Sequence, residues 1–325
     1  MPSEPTSADA ADAGARSDSS SQRFGVDVRR VGWMRPLAGA YAYEFPTIAP
    51  LYAGDPTSPA AWRAAIGRTQ QHMRKRSEIA AVVAAQQERR GAPAASRTAA
   101  ARIAEASTVA VVTGQQAGLF GGPLFTLLKA LTAVQLARRV EREHGTPAVA
   151  VFWVDAEDHD WDEVRSCTVL DASSQPRTIS LPELEGAGEV PIASLTLDAR
   201  VEETLQELGS AIASTDFTAG TMAAVRDAYR PGIGMADAFA RLLESVLGPH
   251  GLIVFDAADR AAKPLAASVF ARELQAPGRT AALAVKGGEA LAERGHEPQV
   301  VPHLDSLSLF HLDGVRRPIG GHRAR

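Results

Sequence analysis

Thr108-Val109-Ala110-Val111-Val112-Thr113, followed by Gly114-Gln115-Gln116-Ala117-Gly118-Leu119-Phe120-Gly121-Gly122-Pro123, is the stretch that decides the fold. The first six residues are largely β-branched and too apolar to leave one face in water. That suits a strand covered on both sides, as parallel strands are. Leu124, Leu127, Leu128 and Leu131 then fall at helical spacing. The helix they predict runs to about His144, where Gly145-Thr146-Pro147 closes it. Residues 148–154 form a second apolar strand. The order strand, glycine loop, helix, strand predicts a right-handed crossover. Leu252-Ile253-Val254-Phe255 repeats the theme, ending in Asp256 and Asp259 ahead of another helix. Strands alternating with helices predict an α/β fold built on a doubly wound parallel sheet.

Outward from this unit the pattern weakens. Residues 1–23 hold almost nothing to bury and are expected to be a disordered tail. Residues 24–107 read as an N-terminal helical arm. Its first part, through Leu51, is expected to be ordered but irregular, packing by Trp33, Tyr41, Tyr43 and Phe45, with Tyr52 just beyond. Ser58-Pro59 signals a cap and first turn, and the helix it opens is expected to reach Arg90, with Gly91 as its stop. Ser96 is read as the cap of a second helix ending near Ser107. The core is expected over 108–275, with inserted α+β elements at about 164–235. In and beside that insertion, strands are expected at 164–170, 178–181 and 191–197, and helices at 201–213 and 236–247. Residues 276–325 read as an incomplete connecting β/α segment: a short helix, strands at 299–301 and 307–312, then a polar tail from Gly314 with no packing pattern.

Bulk properties narrow the function. The chain has 325 residues, 45% hydrophobic and 22% charged, enough for a substantial core. Its net charge of −4 argues against nucleic-acid or anionic-membrane binding, which need a basic footprint. The single cysteine, Cys167, has no partner for an internal disulfide, which fits the cytoplasm. No apolar run approaches the roughly 18 residues that span a bilayer. Glu4, Asp9 and Asp12 and the lack of an apolar h-region argue against a secretory signal.

Two polar clusters sit where an open α/β sheet binds ligands, outside the carboxyl ends of its strands. The first is Thr113-Gly114-Gln115-Gln116, with Gly118 beyond it. Glycines admit close backbone approach, the helix that follows points its positive end there, and the glutamines add amide donors and acceptors. A phosphate or carboxylate would suit this loop. It matches neither a Walker loop nor the dinucleotide fingerprint, and glycines also serve tight strand-to-helix turns. The second cluster is Asp155-Ala156-Glu157-Asp158-His159-Asp160-Trp161-Asp162-Glu163. Its acids could hold a divalent cation, seat a general base or receive an ammonium group; they could equally form a solvated loop or cap a helix. Asp256 ends a strand and is a ligand contact or a cap. Lys129 lies about 140° from the leucine stripe and is read as solvated. Cys167 reads as a buried structural thiol. His72, His250, His296 and His303 show no metal-ligand spacing, so no metal site is assigned.

The two motifs together, Thr113 to Pro123 and Phe152-Trp153-Val154-Asp155-Ala156-Glu157-Asp158-His159-Asp160, resemble the signatures of the bacillithiol synthase (cysteine ligase) family. Weaker likeness continues through Gly248-Pro249-His250 with the strand after it, and Arg294-Gly295-His296-Glu297-Pro298-Gln299-Val300. The resemblance implies addition of cysteine to glucosaminyl-malate, the last step of bacillithiol synthesis. It also implies a Rossmann-like core with inserted connecting elements, similar to nucleotidyltransferases and class I synthetases, and a C-terminal coiled coil with a homodimer in the full-length family. By that likeness Thr113, Gly114, Gln115 and Gln116 would hold ATP or another nucleotide, or an activated carboxylate; Gly118, Asp155, Asp160 and Asp256 are further candidates for binding substrate or nucleotide, the acidic loop receiving an amine from cysteine or the sugar. Glu157, Asp158 and His159 would be catalytic, with His159 the general base because its ordinary pKa lies near neutrality. A divalent metal requirement is left open. A metal-dependent hydrolase using the acidic loop, and a non-catalytic nucleotide-binding remnant, are the alternatives. The likeness fades after Arg317, so the expectation is a truncated chain that is weakly active or inactive alone.

Overall fold

The computed structural model describes residues 27–300, 302, 306–312 and 316–320. The tail expected over 1–23 lies outside the described residues. The chain divides into two units, 1–48 and 49–325. In the first, α1 (Pro36–Tyr43) and α2 (Phe45–Ile48) stand where an irregular arm was expected. Pro36 presets the first turn of α1. Tyr41 and Phe45 meet edge to face at 5.9 Å, and the Arg29 guanidinium lies 4.4 Å from the Tyr43 ring centroid. Trp33, read as a packing residue, is exposed.

In the second unit the helix expected from Ser58 to Arg90 is two helices, α3 (Pro59–Gln70) and α4 (Arg76–Arg90). No proline or glycine marks the break. Arginines hold it: Arg74 donates to the carbonyls of Thr69 and His72, and Arg76 donates to those of Ile103, Glu105 and Thr108. Ser58 does cap α3, accepting the Ala61 N–H, and Gly91 ends α4 with φ 72°. Ser96 is no cap. It lies inside α5 (Ala94–Ala101), fully buried.

The core follows as β1 (Val109–Gln116), α6 (Leu124–His144), β2 (Ala148–Asp155), α7 (Trp161–Val164) and the antiparallel pair β3 (Ser166–Leu170) and β4 (Pro176–Ser180). Then come α8 (Arg200–Ala211), α9 (Thr218–Ala228), α10 (Met235–Leu247) and β5 (Leu252–Asp256). Among the described residues the main sheet has the order β1-β2-β5, all parallel, with Gln116 level with Asp155 and Val154 level with Asp256. Alternate residues enter two cores. Phe152, Val154, Leu252 and Val254 pack with α6 and α10, and Val149, Val151, Ile253 and Phe255 pack with α4 and α5. Helices thus cover both faces of a Rossmann-like sheet, as expected.

Several expectations need correction. Residues 191–197 hold a 3-10 turn (Ile192–Ser194) and a single bridge from Thr196 to Gly234 rather than a strand. Helix α9 was not anticipated. Beyond β5 lie α11 (Ala267–Gln275), the helix expected after Asp259, and α12 (Arg279–Ala292), longer than the short helix expected there. Gln299 and Val300 are not in a strand, and Val301 lies outside the described residues. Within the tail, Arg316–Gly320 forms β7 against β6 (Ser306–Leu312). Among the described residues no helix is long and apolar enough to cross a membrane.

Two departures matter for the site. The buried face of α6 is Thr126, Ala130, Ala133, Val134, Ala137 and Val140, whereas Leu124, Leu128 and Leu131 are exposed. Small side chains let the helix lie close on the sheet. The strand β1 is also not covered on both faces: Val112 is 57% exposed and Trp153 beside it on β2 is 45% exposed.

The far edge of β5 meets no strand among the described residues, yet it is buried under α4 and α5, so its backbone groups need other partners. Helix side chains supply them. Ser96 Oγ donates to Leu252 O, Arg90 Nη2 donates to Val254 O at 2.7 Å, and Gln86 Nε2 donates to Asp256 O at 3.0 Å while its Oε1 accepts the Asp256 N–H at 2.9 Å. Arg90 also forks onto Glu244 of α10 at 2.7 and 3.0 Å, with both side chains essentially sealed from water. Burial pushes the Glu244 carboxyl above its ordinary range, and Arg90 opposes that shift. Replacing Arg90 alone by Met strands a buried carboxylate and is expected to cost about 3–5 kcal/mol in urea unfolding. Arg90→Met with Glu244→Leu is expected to recover much of that loss.

Candidate functional site

Because Gln115 and Gln116 pair with β2, they belong to β1 and not to the loop after it. The expected glycine loop is therefore shorter, starting at Ala117. A groove of about 560 Å³ lies over the uncovered end of the sheet, lined by Val112, Thr113, Gly114, Gln115, Gln116, Trp153, Asp155 and Glu163. Thr113, Gly114, Gln115, Gln116 and Asp155 are thus brought together. The first turn of α6 is not part of this lining, so the helix dipole does not reach the groove as expected.

Each wall follows from local packing. A Cβ built on Gly114 would stand 2.6 Å from the Trp153 carbonyl oxygen and 3.2 Å from the Trp153 Cβ, so only glycine lets β1 lie this close to β2. Trp153 turns its ring to the open face and rests edge-on against Phe255, 5.1 Å between centroids. The acidic loop joins through Asp158, whose Oδ2 accepts from Gln116 Nε2 at 2.7 Å. Asp158 Oδ1 accepts the His159 N–H at 2.7 Å and lies 3.4 Å from His159 Nδ1, and the imidazole is half exposed.

Other expected residues are placed elsewhere. Glu157 pairs with Lys263, which follows β5 and also donates to Ala257 O. Asp160 caps α7 by accepting the Glu163 N–H at 3.2 Å. Gly118 is buried, and its steric role is explicit: a Cβ there would stand 2.8 Å from Gly122 Cα. The fully buried Tyr229 braces this turn, its hydroxyl donating to Gly118 O at 3.0 Å and accepting the Gly121 N–H at 3.2 Å. Asp256 does not line the groove. Its Oδ1 accepts the Ala258 N–H at 2.9 Å, and burial raises its carboxyl above the ordinary range. Among the described residues no three His, Cys, Asp or Glu side chains converge to hold a metal ion.

Trp153 in the groove and Lys129 beside it escaped the sequence reading, whereas Glu163 belongs to the acidic cluster that the sequence offers. Trp153 looked like one more apolar strand residue. Lys129, read as solvated, is exposed but tied to β1, donating to Gly114 O at 2.9 Å and to Gln115 Oε1 at 3.0 Å. Glu163 reaches the groove from α7. For Lys129 the usable signal was its place about one and a half turns into α6, on the side that overhangs the strand end.

Residues 26–322 match the family model described as bacillithiol biosynthesis BshC, N-terminal Rossmann-like domain. The chain belongs to the BshC family. Relatives carrying the name "Putative cysteine ligase BshC" include one from Salinibacter ruber, 34% identical over 84% of this chain and 50% of its own length. Another, from Symbiobacterium thermophilum, is 32% identical over 77% of this chain and 47% of its own. A third, from Heliobacterium modesticaldum, is 34% identical over 67% of this chain and 40% of its own. The chain spans about half the length of the curated relatives it matches, and its fold agrees with the Rossmann-like description.

Two outcomes follow from the site's packing. Gly114→Ala is expected to lower stability by about 1–3 kcal/mol in thermal or urea melts, because the strand pair must shift. Burial pushes the Cys167 thiol up to about 11. At pH 8 its alkylation by iodoacetamide is expected to be about a hundredfold or more slower than that of free cysteine, rising to the free rate in urea.

Proposed function

We propose that this BshC-family chain carries the substrate groove of a cysteine ligase that joins cysteine to glucosaminyl-malate in the last step of bacillithiol synthesis. The observation that carries the reading is the meeting of the two motifs at one groove: Gln115 and Gln116 at the end of β1 line it with Asp155 of β2, and Gln116 ties Asp158, with His159 beside it, to that lining. Family membership supports the same reaction.

Amide formation from a free carboxylate is uphill, so ATP or another nucleotide supplies the activation. The chain's own residues do the rest. Gln115 and Gln116 orient the activated substrate against the strand ends. Trp153 gives the groove an aromatic wall. The acids around Asp155 receive an amine. His159, turned toward Asp158, is the general base that takes a proton from the attacking nitrogen. Glu157 is held by Lys263, so its part is to fix the loop.

Of the alternatives, the metal-dependent hydrolase loses its footing in this geometry: Glu157 is committed to Lys263 and Asp158 to Gln116, and no three ligands converge among the described residues. A protein that binds nucleotide without turnover keeps one supporting observation, the roomy groove beside Trp153.

The test is thiol product formed from cysteine, glucosaminyl-malate and ATP. Product is expected from an intact family member, and there His159→Ala is expected to lower turnover by about 10²- to 10⁴-fold while leaving the melting temperature in place. Unchanged turnover in that variant removes His159 from the chemistry. Calorimetric nucleotide binding with no product in the native protein points to the non-catalytic reading.

A further inference from the structure

The two groove glutamines are held by partners of opposite kind. Lys129 Nζ donates to Gln115 Oε1 at 3.0 Å. An ammonium group has only donors, so the Gln115 amide must turn its oxygen to Lys129 and its Nε2 the other way. Asp158 Oδ2 accepts from Gln116 Nε2 at 2.7 Å. A carboxylate only accepts, so the Gln116 amide is set in the reverse sense. Its Oε1 is left buried without a hydrogen-bond partner. Leaving a buried carbonyl oxygen unsatisfied is unfavourable, and a ligand's N–H would relieve it. Charge divides the same way. The Lys129 ammonium stands beside Gln115, while Asp155 and Glu163 line the groove and Asp158 holds Gln116.

We infer that Lys129 and Asp158 are positioning residues that give the groove a donor end at Gln115 and an acceptor end at Gln116. The donor end takes a carboxylate and the acceptor end takes a protonated amine. The groove therefore selects a small amino acid that carries both groups over a molecule that carries one. This rests on the ligase reading and deepens it: cysteine lies with its carboxylate toward Gln115 and its amine toward Gln116 and Asp155. Neither Lys129 nor Asp158 need touch the reacting atoms; each acts through the amide that it orients.

The experiment is calorimetric titration of the native protein and four variants with three thiols: L-cysteine, cysteamine, which lacks the carboxylate, and 3-mercaptopropionate, which lacks the amine. Cysteine is expected to bind tightest. Lys129→Met is expected to weaken cysteine and 3-mercaptopropionate by about tenfold and leave cysteamine unchanged; Asp158→Ala is expected to weaken cysteine and cysteamine by about tenfold and leave 3-mercaptopropionate unchanged. Lys129→Arg keeps a donor and Asp158→Asn keeps an acceptor oxygen, so both are expected to retain near-native selectivity, which a merely structural role would not produce. The inference is overturned if neither truncation changes any affinity, if each weakens all three thiols alike, or if cysteine fails to bind the native protein. The ligase reading is judged separately by product formation. A crosswise binding pattern without product leaves the polarised groove standing and removes the reaction, and product without the pattern removes only the polarity.

Discussion

The buried edge of β5 is the constraint on which the architecture rests. A parallel strand hidden from water cannot leave alternate carbonyls bare. Here Ser96, Arg90 and Gln86 answer Leu252, Val254 and Asp256 in turn. Three side chains from two helices thus act as a substitute strand. That requirement fixes how α4 and α5 lie on the sheet, and through Glu244 it ties α10 to the opposite face. The end of β5 is pinned most firmly, by the two-way amide contact of Gln86. The loop that follows presents Lys263 to Glu157, so the acidic loop after β2 inherits its position from the same edge.

The groove arises where this covering stops. α4 and α5 shield β5 and part of β2, but the outer face of β1 past Val112 is left open. The motif residues then have a surface to present. Their polar heads are oriented by neighbours of fixed hydrogen-bonding sense, an ammonium on one side and a carboxylate on the other, so little conformational freedom remains to be lost when a ligand arrives. Gly114 makes this possible by letting the two strand ends lie side by side without a Cβ between them.

The strand–loop–helix–strand unit and β5 were legible because runs such as Val149-Ala150-Val151-Phe152 have one reading at that length. The rest was hidden for specific reasons. Gln115 and Gln116 have weak strand preference and were read as loop; pairing with Val154 and Asp155 decides otherwise. The leucines of α6 looked like its buried stripe, but the helix lies on the sheet through Ala130, Ala133 and Ala137, because close approach favours small residues over greasy ones. That single misreading also turned Lys129 away from the site. The break between α3 and α4 carries no proline or glycine to mark it: Arg74 holds it locally, and Arg76 fixes it by reaching carbonyls about thirty residues along the chain. Within the candidate site, the gathering of Thr113, Gly114, Gln115, Gln116 and Asp155 could be read from strand-end logic. The capping role that Asp160 takes was among the readings open to the acidic loop, but the diversion of Glu157 to Lys263 could not be read, because it depends on which partner stands within reach.

The substitute strand on β5 also gives the sheet a direction. With its far carbonyls already occupied by helix side chains and the helices packed over them, β5 offers no template to an incoming strand. Among the described residues the sheet can widen only past β1, where Lys129 on Gly114 O is a removable stopper rather than a wall. Growth by strand addition, whether productive pairing or unwanted self-association, is therefore steered to the same margin that carries the groove.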